Sequence, residues 1–384
     1  MLYFDNSATT KVKEEVLQEM LPYFSESYGN PSSSYSIGRT NKKAIEEART
    51  KVANLIGAHP KEIYFTGSGS ESDNTAIKGI AYANKEKGRH IITSKIEHPA
   101  VLESCKTLEK QGFKVTYLNV DSDGIVDLQQ LRKSINKKTI LISIMFANNE
   151  IGTIEPIKEI AKIAKANNII FHSDCVQAVG NIEINVEQMG IDMLSLSGHK
   201  INGPKGIGAL YVKQGIQFDR YIDGGHQEKN KRAGTENVAG IIGLGKATEL
   251  AKDNLNEHKN HLKELREYYI EQVEKNIPNC KLNGARNNRL AGNANFSFEN
   301  VDGNAILYDL DAKGICVSTG SACNSEEPNP SHVLTSIGLD QKWANGTIRV
   351  TFGDENTKED VDYLIKNLKE SIENIKAKNT GQNL

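Results

Sequence analysis

Between residues 62 and 212 the chain alternates short apolar runs, rich in β-branched residues, with longer amphipathic ones, and this alternation constrains the fold more than any other feature. The apolar runs are EIYFTG (62–67), HIITS (90–94), KVTYLNV (114–120), TILISIMFAN (139–148), IIFHSD (169–174), DMLSLSG (192–198) and IGALYV (207–212). Their length and composition predict sheet strands. Around them lie the helical patterns NKKAIEEARTKVANLIG, PAVLESCKTLEKQG and PIKEIAKIAKANN, the last two with Pro near the start and Gly or Asn at the end. Such alternation belongs to an α/β domain with a mostly parallel sheet, here of seven strands. From about Thr235 the pattern changes to a long helical segment reaching about Asn276, two strand-like stretches, NANFSF and IRVTFG, and a terminal helix from about Glu359. A second, smaller α+β domain is predicted there.

Charge and apolar patterning exclude several function classes. Lys and Arg number 47 against 49 Asp and Glu, a net charge of −2, so no basic field of the kind that tracks phosphate backbones is present and direct nucleic-acid binding is not expected. The start, MLYFDNSATT, lacks a basic segment followed by an apolar one, and no apolar run approaches the roughly 18 to 20 residues of a membrane helix. A cytoplasmic protein with no membrane association is expected. The five cysteines, Cys105, Cys175, Cys280, Cys316 and Cys323, contain no C-x-x-C pair, so neither a disulfide framework nor a metal site is indicated.

In open α/β sheets ligands bind outside the carboxyl ends of the strands, where loops meet helix N-termini. Thr66-Gly67-Ser68-Gly69-Ser70 leads from a predicted strand into a helix and suits a phosphate, although a plain strand-to-helix turn reads equally well. It is neither a Walker loop nor a dinucleotide fingerprint. IIFHSD ends in Asp174, a carboxylate that alone reads best as a cap but can also partner a protonated pyridine nitrogen. DMLSLSG runs into His199-Lys200 and a Gly/Pro-constrained turn, where a desolvated lysine becomes a nucleophile. Together these strand ends describe a pocket for pyridoxal 5′-phosphate, with its phosphate at Gly69 and Ser70, its ring nitrogen at Asp174 and its aldehyde at Lys200.

The motifs ESDNTAIKG, EHPAV, NNEIG, HSDCVQAVG, SLSGHKINGPKGIGALYV, RAGTEN and GSAC…PSHVL resemble those of the NifS/IscS-like cysteine desulfurases, in the class V branch of fold-type I pyridoxal-phosphate enzymes. The resemblance extends over residues 5 to 353. The resemblance implies a homodimer with sites near the subunit interface, and conversion of L-cysteine to L-alanine while sulfur moves to an enzyme cysteine as a persulfide. A sulfur-acceptor protein, such as an iron–sulfur scaffold or a thiolation enzyme, then receives it. The division expected is a large cofactor-binding domain over 10–255, and a small domain over 1–9 and 256–384 that carries the cysteine loop.

By the same resemblance, His98 stacks on the cofactor ring and is placed for acid–base work. Asn149 and Gln177 hydrogen-bond the ring oxygen and its neighbours, with Asn149 also near substrate. Ser197, Gly198 and His199 join Ser70 around the phosphate, and Thr235 reaches it from the other subunit. Arg349 clamps the substrate carboxylate with its guanidinium fork, where the alternative is a structural salt bridge. Cys323, in STGSACNSEEPNPSHV, is the sulfur-accepting nucleophile: a Gly/Ser/Pro-rich loop supplies the exposure and access to thiolate that this task needs. Without the resemblance an incidental loop cysteine is the better reading. Cys105, Cys280 and Cys316 read as packing thiols.

Tyr35, Cys175, GGHQEKNKRAGT, Pro328 and Asn329 depart from the usual family pattern without removing a catalytic group, and the last two bear on the acceptor surface. His258 and His261 have helix-compatible metal spacing but read as a solvated face. A selenocysteine lyase or another class V aminotransferase or lyase is the alternative function, sharing Lys200 and Asp174. A non-catalytic scaffold is a third reading, which would need neither Lys200 nor His98 and Arg349.

Overall fold

The structure, a computed structural model, describes residues 1–319 and 331–381. A short strand β1 (Leu2–Tyr3) precedes β2 (Ile63–Thr66), β3 (His90–Ser94), β4 (Lys114–Leu118), β5 (Thr139–Ser143), β6 (Ile170–Asp174), β7 (Met193–Ser197) and β8 (Gly208–Val212). The last seven of these form one sheet in the order β2-β8-β7-β6-β5-β3-β4. Strands β4, β3, β5, β6 and β7 are parallel, and β8 is antiparallel to both of its neighbours. Each predicted run from 62 to 212 is thus a strand. The strand in TILISIMFAN ends at Ser143; beyond it the Met145 amide goes to the Glu97 carboxyl at 3.0 Å, while the Ile144 and Phe146 amides still donate to the His172 and Asp174 carbonyls of β6 at 3.1 and 2.8 Å. Ile144 to Ala147 stay buried, and apolar continuity alone does not tell a strand from a buried turn.

The helices follow local chemistry. Ser36–Ile56 ends at Gly57, which takes φ 67. Gly69–Ala83 is capped by Ser68, whose Oγ accepts from the Glu71 amide at 3.1 Å. Pro99–Lys110 has its Pro at the first position and His98 as its cap. The single helical segment expected between Thr235 and Asn276 is two helices, Val238–Asp253 and Leu255–Asn276, joined at Asn254. The first is apolar almost all round because it lies on Ser36–Ile56. A Cβ on Gly245 would stand 2.7 Å from Ala48 Cβ, so only glycine permits that approach.

Beyond residue 276 the strands are β9 (Cys280–Leu282), β10 (Asn293–Phe298), β11 (Ile315–Cys316) and β12 (Thr347–Thr351). Strands β12, β10 and β9 form an antiparallel sheet, and β11 pairs in parallel with β1. The helix Gly303–Ala312, capped by Asp302, and the two short strands β9 and β11 were not anticipated from the sequence. Phe4 is fully buried in the core formed by Leu265, Tyr269, Phe296, Ile348 and Leu364, and meets Phe352 edge-on at 5.7 Å. A separate core gathers Val52, Ile56, Ile63, Phe171, Leu196 and Leu244 beside the seven-stranded sheet. Among the described residues no helix is long and apolar enough to cross a membrane.

Candidate active site

A cavity of about 410 Å³ opens at the carboxyl ends of the parallel strands. It is lined by Gly69, Ser70, His98, Asn149, Asp174, Gln177, Ser197, His199, Lys200 and Arg349, residues that the sequence reading singled out from six separate stretches. Gly198 is buried between two lining residues, where a Cβ would meet Ile207 Cγ2 at 2.9 Å. Thr235 is exposed and does not line the cavity of its own chain. Cys323, Pro328 and Asn329 lie outside the described residues.

The phosphate-suited corner starts at the N-terminus of Gly69–Ala83. Gly69 is pressed against the neighbouring strand ends: a Cβ there would stand 2.7 Å from Val176 Cγ2 and 3.3 Å from Ser197 Cβ. The close approach is open only to a residue without a Cβ, and a helix N-terminus that lines the cavity suits an anion. His199 holds Thr9 Oγ1 through Nδ1 at 3.2 Å, and burial, with Lys200 and Lys205 adding, lowers its pKa to about 4. At neutral pH it is a neutral hydrogen-bonding group.

Lys200 closes a short 3₁₀ turn directly after β7. Its Nζ donates to the carbonyl oxygens of Ser7 and Ala8, the latter at 2.8 Å, so the N-terminal segment forms the floor beside it. Gln177 Nε2 donates to the same Ser7 oxygen at 3.0 Å. Lys205 is exposed and stands outside the cavity. Asp174, the last residue of β6, accepts the Val176 amide at 2.9 Å. Burial raises its pKa, against the opposing influence of His98, the Val176 amide and Lys200.

Asp73 lies beside it and was missed in the sequence, although it is the D of ESDN. It is 1% exposed, and burial followed by the charge of Asp174 pushes its carboxyl well above the usual range. Two buried carboxyls so placed do not both ionise. Asp73, His98 and Asp174 bring one ligand-type atom each within 4.8 Å of one another. His172, behind them on β6, is lowered to about 3 by burial and stays neutral between Ser143 Oγ and Ser195 Oγ.

The opposite side of the cavity comes from the chain's far end. Arg349, on β12, is 2% exposed; one terminal nitrogen pairs with Asp5 Oδ1 at 2.7 Å and the other donates to the Asn149 carbonyl at 3.1 Å. Glu150 accepts from Ser331 Oγ at 2.5 Å, and burial raises its carboxyl to about 7 against Ser331 and Arg349. Glu97 accepts from Ser94 Oγ at 2.6 Å and from the Met145 amide, and burial raises it to about 8. His332 Nε2 donates to the Glu97 carbonyl at 3.0 Å. Glu97, Glu150 and His332 all sit inside the motifs EHPAV, NNEIG and PSHVL, next to the residues that drew attention.

Other expectations meet the structure as follows. Cys105 and Cys175 are fully buried, with burial raising the first thiol to about 12 and the second well above its ordinary value. Cys280 and Cys316 are half-buried on strands. His258 is not merely solvated: it bonds Asp354 through Nδ1 and Asn181 Oδ1 through Nε2 at 3.2 Å, a contact no helical periodicity could announce.

The aminotransferase class-V family pattern matches residues 2–364. The chain is 55% identical over 375 residues to the cysteine desulfurase IscS of Methanosarcina thermophila, covering 98% of this chain and 93% of that one. It is also 55% identical over 376 residues to the cysteine desulfurase IscS of Dictyoglomus turgidum, covering 98% and 95%. Among solved structures, a NifS-like protein at 39% identity superposes with a TM-score of 0.91 over 96% of this chain and 98% of its own. SspA in complex with cysteine, at 38% identity, does so with a TM-score of 0.82 over 93% and 100%. With the strand-end lysine and aspartate, the capping histidine and the buried arginine in one cavity, the chain belongs to the aminotransferase class-V family, within its NifS/IscS-like cysteine desulfurase branch.

Proposed function

We propose that this chain is a pyridoxal-phosphate-dependent cysteine desulfurase that converts L-cysteine to L-alanine and passes the sulfur to Cys323 and then to an acceptor protein. The observation that carries the reading is the meeting of Lys200, Asp174, His98 and Arg349 in one cavity. Relatives named cysteine desulfurase, and a structural neighbour solved with cysteine, support the substrate.

The donor set suits the cofactor. Gly69 and Ser70 would hold its phosphate together with Ser197, Gly198 and His199, Asp174 its ring nitrogen, Gln177 and Asn149 its ring oxygen, and Lys200 its aldehyde. The unpartnered Asp73 Oδ1 behind Asp174 adds buried polarity at the same end. Bound there, pyridoxal phosphate supplies an electron sink for the substrate's α-carbon. Arg349 binds the substrate carboxylate through its planar fork, with Asn149 beside it. Lys200 would hold or move the α-proton. His98 would cover the ring and, with Nδ1 taken by the Ala100 amide, would donate a proton through Nε2. Cys323 attacks the substrate sulfur as a thiolate.

The reading extends to assembly. Thr235, exposed in its own chain, would complete the phosphate site of a second copy in a homodimer. Residues 10–255 are proposed as the large domain and 1–9 with 256–384 as the small one; the two separate cores, with Phe4 in the second, support that division.

Incubation of the cofactor-loaded protein with L-cysteine, with and without reductant, tests the reading by measuring alanine, sulfide and protein persulfide together. Alanine equimolar with sulfur is expected. Loaded protein that produces no alanine would overturn it. Cys323→Ala is expected to stay yellow while yielding neither persulfide nor stoichiometric alanine.

A further inference from the structure

At the carboxyl end of β6 two carboxyls share one buried corner but not one environment. Asp174 has support for a charge: its Oδ1 accepts the Val176 amide at 2.9 Å, and His98 and Lys200 favour its ionised form. Asp73, the fifth residue of Gly69–Ala83, is buried, and among the described residues its Oδ1 has no hydrogen-bond partner. His172 Nε2 stands 3.6 Å from that oxygen, beyond hydrogen-bonding reach, and bonds Ser195 Oγ at 3.0 Å instead. Both aspartates line the cavity, and with His98 they bring one polar atom each within 4.8 Å of one another.

An ionised carboxyl accepts hydrogen bonds on both oxygens, and a charged oxygen buried without a donor is costly. Protonation removes that cost. A charge on Asp73 would also meet the repulsion of Asp174, so the carboxyl with support takes the charge and the one without it keeps the proton.

The surroundings of Asp73 act in the same direction. Burial and then the charge of Asp174 raise its pKa, the Ser195 hydroxyl opposes them and Glu97 adds to them. Glu97 is itself raised to about 8, and His172 is lowered to about 3, so neither brings Asp73 a positive charge at neutral pH. Of the other strands beneath this helix, β2, β5 and β8 carry no Asp, Glu, Lys, Arg or His. The neighbouring helix Pro99–Lys110 exposes Glu103, Lys106, Glu109 and Lys110, and buries Cys105, a thiol raised to about 12. On its own helix, Glu71 is engaged by Arg232 at 2.9 Å and Lys78 donates to Asn74 Oδ1 at 2.7 Å. The cavity's cations bond elsewhere, Lys200 to the Ser7 and Ala8 carbonyls and Arg349 to Asp5.

We propose that Asp73 is a positioning residue for Asp174: it keeps its proton with or without cofactor, so that the pair's single negative charge rests on Asp174, where the protonated ring nitrogen would meet it. The inference deepens the cofactor reading above and rests on it. With two charges the pair would repel itself; with none it would offer the ring nitrogen no counter-ion.

The test titrates the cofactor-free full chain with pyridoxal phosphate between pH 6 and 9. Asp73→Ala, which opens space beside Asp174, is expected to bind about tenfold more weakly than wild type. Asp73→Asn, neutral at every pH and of the same shape, is expected to recover affinity to within about threefold and to follow the pH profile of wild type. A charged Asp73 gives equal losses in both variants, and that result would overturn the proposal. So would an Asp73→Ala that binds like wild type. Infrared spectra of loaded proteins with ¹³C-labelled aspartate, taken as wild type minus Asp73→Asn at pH 7, are expected to show a protonated carboxyl band. A carboxylate band in its place would also overturn the proposal. Asp174→Asn, which removes the charge itself, is expected to lose about a hundredfold in affinity. If it binds like wild type, or if wild type takes up no pyridoxal phosphate, the cofactor reading beneath falls. A loss in Asp174→Asn together with equal losses in both Asp73 variants defeats this inference alone.

Discussion

The two walls of the cavity are built on different principles. One is made by the ends of β2, β6 and β7 and the turns that follow them, where Gly69, Asp174, Ser197 and Lys200 each project from a backbone held by the sheet. The other is assembled from chain segments far apart: Asp5 and Arg349, 344 residues from each other, and the dipeptide Ser331-His332, bound to Glu150 and to the Glu97 carbonyl. The first wall owes its positions to main-chain geometry. The second owes them to buried polar groups that satisfy one another, so it responds to charge and pH where the first responds to shape.

The largest effect is expected on the sheet-built wall. Lys200→Ala is expected to abolish both the yellow colour and alanine formation, whereas Lys205→Ala, altering an exposed side chain, leaves both. Borohydride reduction followed by peptide mapping is expected to place the pyridoxyl group on Lys200. A label on Lys205 would mean that the strand end does not select the lysine.

Arg349→Ala probes the assembled wall. It removes the clamp for the substrate carboxylate and leaves Asp5 without its partner. A rise of about a hundredfold in KM and a stability loss of about 3 kcal/mol are expected, with the colour retained. Denaturant unfolding and steady-state kinetics measure the two parts separately. Lost stability with unchanged KM would make the pair purely structural.

The dependence on pH sharpens the contrast. Folding raises the Glu97 carboxyl from 4.5 to about 8, so through that window the folded chain holds a proton that the unfolded chain has released. Stability therefore falls as pH rises from about 5 to 8, and Glu150, raised to about 7, acts in the same direction. Glu97→Gln is expected to flatten the slope by a fraction of the ~1.4 kcal/mol per pH unit that one proton sets as a ceiling. Urea unfolding at pH 5, 6, 7 and 8 measures it. A slope identical to wild type would mean that Glu97 is already ionised in the folded state.

Thr235→Ala is expected to have the smallest effect on the folded chain, below about 0.5 kcal/mol, because the side chain is exposed there. Its consequence is expected in cofactor affinity of the assembled protein. Mixed with Lys200→Ala, it is expected to yield heterodimers with one intact composite site. Verified heterodimers with no recovered site would remove Thr235 from the cavity altogether.

The legible part of this protein is the part governed by local rules. Short apolar runs rich in β-branched residues mark strands because a parallel sheet is covered on both faces, and Asp174 and Lys200 are visible because they stand at or just past the ends of such runs. Gly69 is visible as part of a glycine-rich strand-to-helix turn, although its crowding against Val176 is a tertiary contact.

Tertiary structure alone decided the rest. TILISIMFAN reads as one strand, yet past Ser143 the Met145 amide is taken by a carboxyl 48 residues away, Glu97, while the segment stays bonded to β6 through Phe146. The pairing of β1 with β11, two strands of two residues each, carries no periodicity to detect. Arg349 could equally have been a surface cation or a salt bridge; its burial and its bonds to Asp5 and Asn149 come from packing across the whole chain. The same holds for Asp73, Glu97, Glu150 and His332, ordinary letters beside the motif residues until burial shifts their protonation and a backbone group selects which edge of an imidazole stays free. Sequence determined which residues leave the sheet, because that is a property of a few consecutive dihedrals. Which of them share a proton, a partner or a face of the cavity was decided by the fold, because electrostatics in a dry interior depends on neighbours that the chain brings together only when it has closed on itself.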